Sequence, residues 1–363
     1  MKIKSFKIEN FRNYETLELE LSEGTNIFCG ENAQGKTNIL EAVYVCGTTK
    51  SHRMARDKEM IRFGCEESHL CMRMVRQDIP YRIDMHLKKN KSKGIAINGA
   101  PIRKAGDVLQ LGSYIFFSPE DLGIIKNGPG ERRRFMDMQL CQLQRLYLSS
   151  LTAYNRVLLQ RSRLMKDMYF RSDIADTMDV WDEQLVRYGR PIIRDRDKFV
   201  RLLNEIAGPI HERLTGGREV LKIEYEQSVG EDEFEEKLRG GRERDLKMKI
   251  TGCGPHRDDI RITANGTDLR RFGSQGQQRT AALAMKLSEI EMVRQITGDN
   301  PVLLLDDVLS ELDENRQRYL LDNVQDVQTL LTCTGIENLT RNRFKIDRLY
   351  EVRQGQVACE DAD

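Results

Sequence analysis

No apolar run in the 363 residues approaches the roughly 20 that a membrane-spanning helix requires, so no membrane span or membrane partner is expected. The N-terminus, Met1 to Phe6, alternates like a strand and lacks the apolar stretch of a secretory leader. The eight cysteines include no Cys-x-x-Cys pair, and the five histidines fall at no ligand spacing. These absences argue against a disulfide framework and a zinc module, and a cytoplasmic location is expected. An excess of either charge is missing too. Against 58 basic residues stand 57 acidic ones, a net +1 that by itself does not point to nucleic acid.

What remains is the composition of a soluble chain, 39% apolar and 32% charged, long enough for one large or two moderate domains. The charge is unevenly spread. From Lys50 to Lys104 there are 14 Lys/Arg against 6 Asp/Glu, a local excess of +8. The block Lys88-Lys89-Asn90-Lys91-Ser92-Lys93 reads equally as a solvated hairpin tip or as a set of phosphate-backbone contacts.

Residues 1–29 alternate apolar and polar positions, which predicts three short strands. Asn98-Gly99 and Asn265-Gly266 lie between alternating segments and predict two tight hairpins. Glu131 to about Lys166 has no proline or glycine and carries apolar residues near helical spacing. A second helical stretch runs from about Ala175 to Leu214, where Pro191 is expected to break or kink it. Glu219 to about Met248 is expected to hold a strand and a short helix.

Three segments carry chemistry. Gly30-Glu31-Asn32-Ala33-Gln34-Gly35-Lys36-Thr37 follows a predicted strand and precedes a predicted helix, the setting of a phosphate-binding P-loop. Gly30 and Gly35 let the backbone curl so that its N–H groups face a phosphate. Lys36 adds an ammonium between the β- and γ-phosphates of ATP, and Thr37 a hydroxyl for Mg²⁺. Downstream, the wholly apolar Val302-Leu303-Leu304-Leu305 reads as a strand buried on both faces, delivering Asp306 and Asp307. Neighbours on a strand point to opposite faces, so Asp306 is assigned to Mg²⁺ and Asp307 to polarising the attacking water. Finally, Ser274-Gln275-Gly276-Gln277 opens a strong helix. In isolation it reads either as an ordinary N-cap or as an anion site.

Together with Ile8 to Tyr14, Phe117 to Leu122, Gly254 to Asp259, Gly273 to Thr280 and Leu303 to Asp313, these segments resemble the RecF family over essentially the whole chain. The helical middle matches by length and pattern alone. That family is related to the SMC and DNA-repair branch of the ABC ATPases. The resemblance implies an α/β fold, a P-loop ABC-type ATPase head (a mixed sheet with flanking helices) formed by 1–125 and 250–363, with a mainly helical domain inserted at 126–249. It implies ATP-driven homodimerisation on single-stranded and gapped duplex DNA, which promotes recombinase loading with RecR and RecO, replication-fork maintenance and SOS induction. On that reading Ser274, Gln275, Gly276 and Gln277 cap the γ-phosphate bound by the partner copy, and Ser310 to Asp313 form the D-loop. Glu120 or Asp121 lies in the Q-loop region, and Thr334 stands where transporters carry a switch histidine. Arg12 is expected near the phosphates, and Arg53 near nucleotide or DNA.

Gln275 in place of a signature glycine, Asp307 in place of glutamate, and Thr334 together imply slow hydrolysis that resets a switch. The alternatives are an ABC-type ATPase coupled to transport or an OLD-type nuclease. The first is disfavoured by the Asn10-Phe11-Arg12 segment and by Thr334. The second is disfavoured because only some fifty residues follow Asp313, too few for its metal-binding module.

Overall fold

Alternation at the N-terminus builds a sheet with one greasy face. Strand β1 (Lys2–Phe11) pairs antiparallel with β2 (Tyr14–Glu20), and β3 (Thr25–Cys29) follows before helix α1 (Lys36–Thr48). In β1 the buried positions are Ile3, Phe6, Ile8 and Phe11, a spacing that breaks strict period two between Ile3 and Phe6. A bulge there, visible as a register shift against the later strand Glu67–Arg76, returns both side chains to the core. The computed structural model describes residues 1–167, 177–324, 326–335 and 345–360.

Strands β4 (Glu67–Arg76), β5 (Ile79–Lys88), β6 (Gly94–Ile97) and β7 (Ala100–Pro101) complete a six-stranded antiparallel sheet of order β2-β1-β4-β5-β6-β7. The β6–β7 turn is the predicted Asn98-Gly99 hairpin, with both residues at positive φ, 52° and 81°. The lysine block caps the β5–β6 connection. Lys88, Lys89 and Lys93 pair there with Glu67, Glu66 and Asp57, so most of that charge is spent locally.

Next come β8 (Tyr114–Phe117), α2 (Pro129–Leu143), α3 (Arg145–Asp167), α4 (Met178–Thr215) and β9 (Leu221–Glu226). Then follow β10 (Asp259–Ala264), β11 (Thr267–Asp268), α5 (Gln275–Thr297), β12 (Val302–Asp306) and β13 (Thr329–Cys333). Strands β14 (Arg348–Arg353) and β15 (Gln356–Glu360) close the described chain. A second six-stranded sheet has the order β15-β14-β3-β13-β12-β8, parallel except for β15. β12 and β13 are buried at every position, as a sheet covered on both faces demands. One hydrophobic cluster joins this sheet, α1 and the antiparallel sheet. Phe6, Ile8, Leu40, Val43, Met72 and Leu304 are among its fully buried members. Each such side chain contributes about 1.5–3 kcal/mol on burial.

The chain divides into two compact units, Met1–Asp121 with Glu289–Asp363, and Leu122–Ser288. The second unit therefore reaches further than the expected insertion, taking in residues 250–288. The reason is strand pairing. β10 hydrogen-bonds along its whole length to β9, and β11 pairs to β10 across the predicted Asn265-Gly266 turn. In this unit α3 packs on α4, and α4 on β9. The expected long first helix is divided at Gln144, which adopts extended φ and ψ. The second helix, by contrast, is not broken at Pro191. It runs through Pro191 and Pro209 for 38 residues. Its buried stripe, including Leu185, Ile192, Ile193, Phe199 and Leu203, supplies packing that outweighs the roughly 3 kcal/mol an interior proline costs.

The segment Gly254 to Asp259 is the hub of this second unit. Asp258, fully buried, accepts from the Tyr225 hydroxyl and from the Ser228 N–H at 2.9 Å. Arg196 donates to the Pro255 carbonyl at 2.6 Å, and Arg132 pairs with Asp259 at 2.6 Å. His256 Nε2 lies 3.1 Å from the Thr251 carbonyl, so it carries the proton, leaving Nδ1 to accept from the Tyr154 hydroxyl at 2.7 Å. Its role is structural.

Candidate functional site

The P-loop links the end of β3 to the start of α1, and its glycines are dictated by close neighbours. A Cβ on Gly30 would lie 2.3 Å from the Val352 carbonyl oxygen. One on Gly35, at φ +110°, would lie 2.4 Å from the Asn13 amide nitrogen. Gly35 is the N-cap of α1 and no side chain caps it; the Asn38 N–H donates to the Gly35 carbonyl at 2.9 Å, and the N–H groups of Lys36 and Thr37 at the start of this 13-residue helix suit an external anion. The crown Glu31-Asn32-Ala33 is exposed, with Ala33 at positive φ, while Lys36 is buried. The Lys36 ammonium arches back over the loop and donates to the carbonyls of Gly30 and Glu31, the latter at 2.7 Å.

Two flanking segments fix the loop. Asn13 Nδ2 donates to the Gln34 carbonyl at 3.3 Å, and the Tyr14 hydroxyl to the Gly35 carbonyl at 3.2 Å. From the β14–β15 turn, Gln354 N–H donates to Gln34 Oε1 at 2.6 Å and Gly355 N–H to the Gln34 carbonyl at 3.2 Å. These four holders were not legible as site residues, because nothing in their types or spacing marks a loop contact.

Thr37 and the end of β12 meet. The Thr37 hydroxyl donates to Asp306 Oδ1 at 2.8 Å, and the Thr332 hydroxyl donates to the same oxygen at 2.8 Å. Burial pushes the Asp306 carboxyl up, and the two hydroxyl bonds oppose that rise. Asp307, half-buried, stands at φ +51° and is held through its backbone. Its N–H donates to Thr332 Oγ1 at 2.9 Å, and its carbonyl accepts from the Ser310 hydroxyl at 2.8 Å. Such a strained backbone persists where a side chain must be aimed. Thr332, unmarked in the sequence, thus holds the Asp306 carboxylate and the Asp307 backbone from the neighbouring parallel strand.

Arg12, expected near the phosphates, is held against α1. Its guanidinium grips the buried Glu41 of α1 in a bidentate pair at 2.7 and 2.8 Å and also donates to the Glu59 carbonyl. Ser51 donates to Glu41 at 2.6 Å. Burial pushes the Glu41 carboxyl up, but the Arg12 and Ser51 bonds prevail and hold it below the usual carboxylate range. Arg53 faces the same carboxylate at 3.9 Å and donates to Asn38 at 3.4 Å. Arg12, Asn13, Asn38, Arg53 and Phe63 line an open cleft of about 880 Å³ beside the start of α1. A second cleft of about 730 Å³ borders the other side of the loop, lined by Cys29, Gly30, Glu31, Gln34 and Thr334 among others.

The Ser274 segment belongs to the other unit. Ser274 and Gln277 form a reciprocal capping box at the start of α5. Gln277 N–H donates to Ser274 Oγ at 3.2 Å, and Ser274 N–H to Gln277 Oε1 at 2.9 Å. Gln275 and Gly276 are exposed. Asp121 closes a turn after β8 by accepting from the Ser118 N–H at 2.7 Å.

The donor set fits ATP with Mg²⁺. Uncapped N–H groups and an ammonium face one region, and one hydroxyl and one carboxylate are the hard oxygen donors that Mg²⁺ takes alongside phosphate oxygens and waters. Among the described residues no cluster of three or more His, Cys, Asp or Glu is placed to hold a metal alone. No helix of the described residues is long and apolar enough to cross a membrane.

Known proteins share this fold and sequence. Residues 2–358 match the family described as the RecF/RecN/SMC N terminal domain. The DNA replication and repair protein RecF of Lachnoclostridium phytofermentans is 55% identical over 357 residues, covering 98% of this chain and 99% of that one. The solved structure of the recombination mediator protein RecF with ATP, from the RecFOR pathway, is 34% identical. It superposes with a TM-score of 0.93 over 99% of this chain and 97% of that one. An SMC head bound to the C-winged helix domain of ScpA shares the fold alone, at 15% identity and a TM-score of 0.59 over 100% and 98% of the two chains. Full-length identity above one half, on a head whose P-loop threonine bonds the carboxylate that ends β12, places this chain in the RecF family of DNA replication and repair proteins.

Proposed function

We propose that the protein is an ATP-dependent DNA-binding switch of recombinational repair. Two copies close on ATP–Mg²⁺ at single-strand/duplex junctions of gapped DNA, together with RecR and RecO, so that recombinase is loaded. The observation that carries the reading is the bond from Thr37 to Asp306, which joins the phosphate loop to the end of β12 at an uncapped helix start. In the site Lys36 exchanges its two loop carbonyls for phosphate oxygens. Thr37 and Asp306 hold Mg²⁺, which when bound neutralises phosphate charge. Asp307 orients the attacking water. The exposed Gln275 and Gly276, with the capped Ser274 and Gln277, present the surface that covers the γ-phosphate held by the other copy. Hydrolysis is slow and serves to reset the switch.

Sedimentation velocity with and without ATP and a gapped duplex, on wild type and Ser274→Arg, tests nucleotide, signature and DNA together. Wild type should shift to a dimer only with ATP, and the variant should bind ATP yet stay monomeric. An ATP-independent dimer, or a variant that dimerises normally, refutes the composite site.

A further inference from the structure

Two thiols stand side by side at the foot of the phosphate loop. Cys29 ends β3, Cys333 ends β13, and the two are register partners in the parallel pairing. Register partners place their side chains on the same face, on strands about 4.8 Å apart. That spacing lies inside the Cα separation of roughly 4.4–6.8 Å that a disulfide spans. The backbone ties the two strand ends as well, Gly30 N–H donating to the Cys333 carbonyl at 3.3 Å. Access is unequal. Cys29 is half-buried and lines the cleft with Gly30, Glu31 and Thr334, whereas Cys333 is buried behind it. The next residue after Cys29 is the first of the loop.

We propose that Cys29 and Cys333 form a reversible disulfide that weakens nucleotide binding at the adjoining loop, with a low-molecular-weight disulfide as the oxidant. The proposal rests on the nucleotide reading above. Cys29, the accessible thiol, gives its proton to water, and its sulfur attacks one sulfur of the oxidant. The oxidant's S–S bond breaks, and one thiol leaves after taking up a proton. Cys333 then loses its proton and attacks the Cys29 sulfur, releasing the second thiol. Two protein thiols are oxidised to one disulfide, and one disulfide is reduced to two thiols.

The order of attack follows from the surroundings. Burial, and then the neighbouring Cys29, push the Cys333 thiol up to about 12, so it is not the first nucleophile. Once the Cys29 sulfur is capped it no longer presents a negative charge, and the Lys36 ammonium and the Gly335 N–H favour the Cys333 thiolate.

The consequence for the loop is mechanical. Disulfides most often span Cα separations of about 5.5–6 Å, wider than the strand spacing of about 4.8 Å, so closing the bridge shifts the end of β3 against β13. Gly30 has little slack, because the Val352 carbonyl sits where its Cβ would be. A bridge strained in this way is readily reduced, which suits a switch rather than a structural clamp.

The test oxidises the full-length protein with excess glutathione disulfide, maps its thiols by alkylation and peptide mass, and titrates a fluorescent ATP analogue before oxidation, after it, and after dithiothreitol. Wild type should yield a Cys29–Cys333 linked peptide and bind the analogue about tenfold more weakly until reduced, a change of about 1.4 kcal/mol. Cys333→Ser should show no such oxidant response relative to its own reduced form. Separately alkylated Cys29 and Cys333 after oxidation, a link without change in affinity, or an equal loss in Cys333→Ser each overturns the proposal. Reduced wild type that does not bind the analogue refutes the nucleotide reading and the switch with it. Reduced protein that binds while the thiols never link refutes the switch alone.

Discussion

Single side chains in this site act through what they hold. Lys36 is buried on two loop carbonyls, so Lys36→Ala removes the ammonium placed to exchange them for phosphate. Nucleotide affinity should fall by at least about a hundredfold in equilibrium titration, the scale of a lost charge-assisted contact near 3 kcal/mol. Asp307→Asn keeps the Thr332 and Ser310 backbone ties and should therefore still bind ATP. It should accumulate dimers with ATP on gel filtration, and a monomer profile would remove Asp307 from the hydrolytic step. Arg12→Ala leaves the fully buried Glu41 without its bidentate partner. Urea denaturation should show a loss of about 3 kcal/mol, most of it recovered when Glu41→Gln is added, because the penalty is that of an unpaired buried charge.

At the scale of elements, strand ends do the positioning. β3 and β12 are separated in the sheet by β13, and Thr332 of β13 fixes the end of β12 by bonding the Asp306 carboxylate and the Asp307 backbone. The hub at Gly254 to Asp259 does the same for α2, α4, β9 and β10. Burial first, then the nearby Arg257, Arg133 and Arg161, depress the His256 imidazole to about 4, against the Thr251 carbonyl that favours its charged form. The folded state thus binds fewer protons than the unfolded one between the unfolded value near 6.5 and about 4. Stability is complete above 6.5 and is lost as pH falls through that window. Between pH 7 and pH 5 wild type should lose about 1–2 kcal/mol more than His256→Gln, the ring being partly exposed and therefore partly screened. Equal pH dependence in parallel urea series would show that His256 is already protonated in the fold.

For the whole molecule, the units Met1–Asp121 with Glu289–Asp363 and Leu122–Ser288 each carry one part of the proposed site. DNA affinity should drop steeply with salt, log K falling linearly with log salt as counterions are released, and fluorescence anisotropy across a salt series reads the slope. A flat response would exclude a phosphate-backbone interface. Turnover on gapped DNA should stay well under about 10 s⁻¹, since a switch depends on a persistent ATP state.

Glycine spacing and a wholly apolar strand marked the candidate phosphate loop and the two candidate carboxylates, because both follow from local rules: backbone that must curl, and a strand covered on both faces. The hairpins at Asn98-Gly99 and Asn265-Gly266 were legible for the same reason, each turn being decided by its own two residues. Three things were decided only in the tertiary structure. Residues 250–288 join the second unit because β10 finds β9, a pairing no local pattern announces. α4 continues through Pro191 because packing along its buried stripe outweighs a local defect. Thr332, Glu41 and the Cys29–Cys333 pair matter through partners up to hundreds of residues away. Sequence alone determined which groups can bind a phosphate; the tertiary structure decided which groups aim them, since long-range hydrogen bonds and strand register depend on where distant chain ends meet.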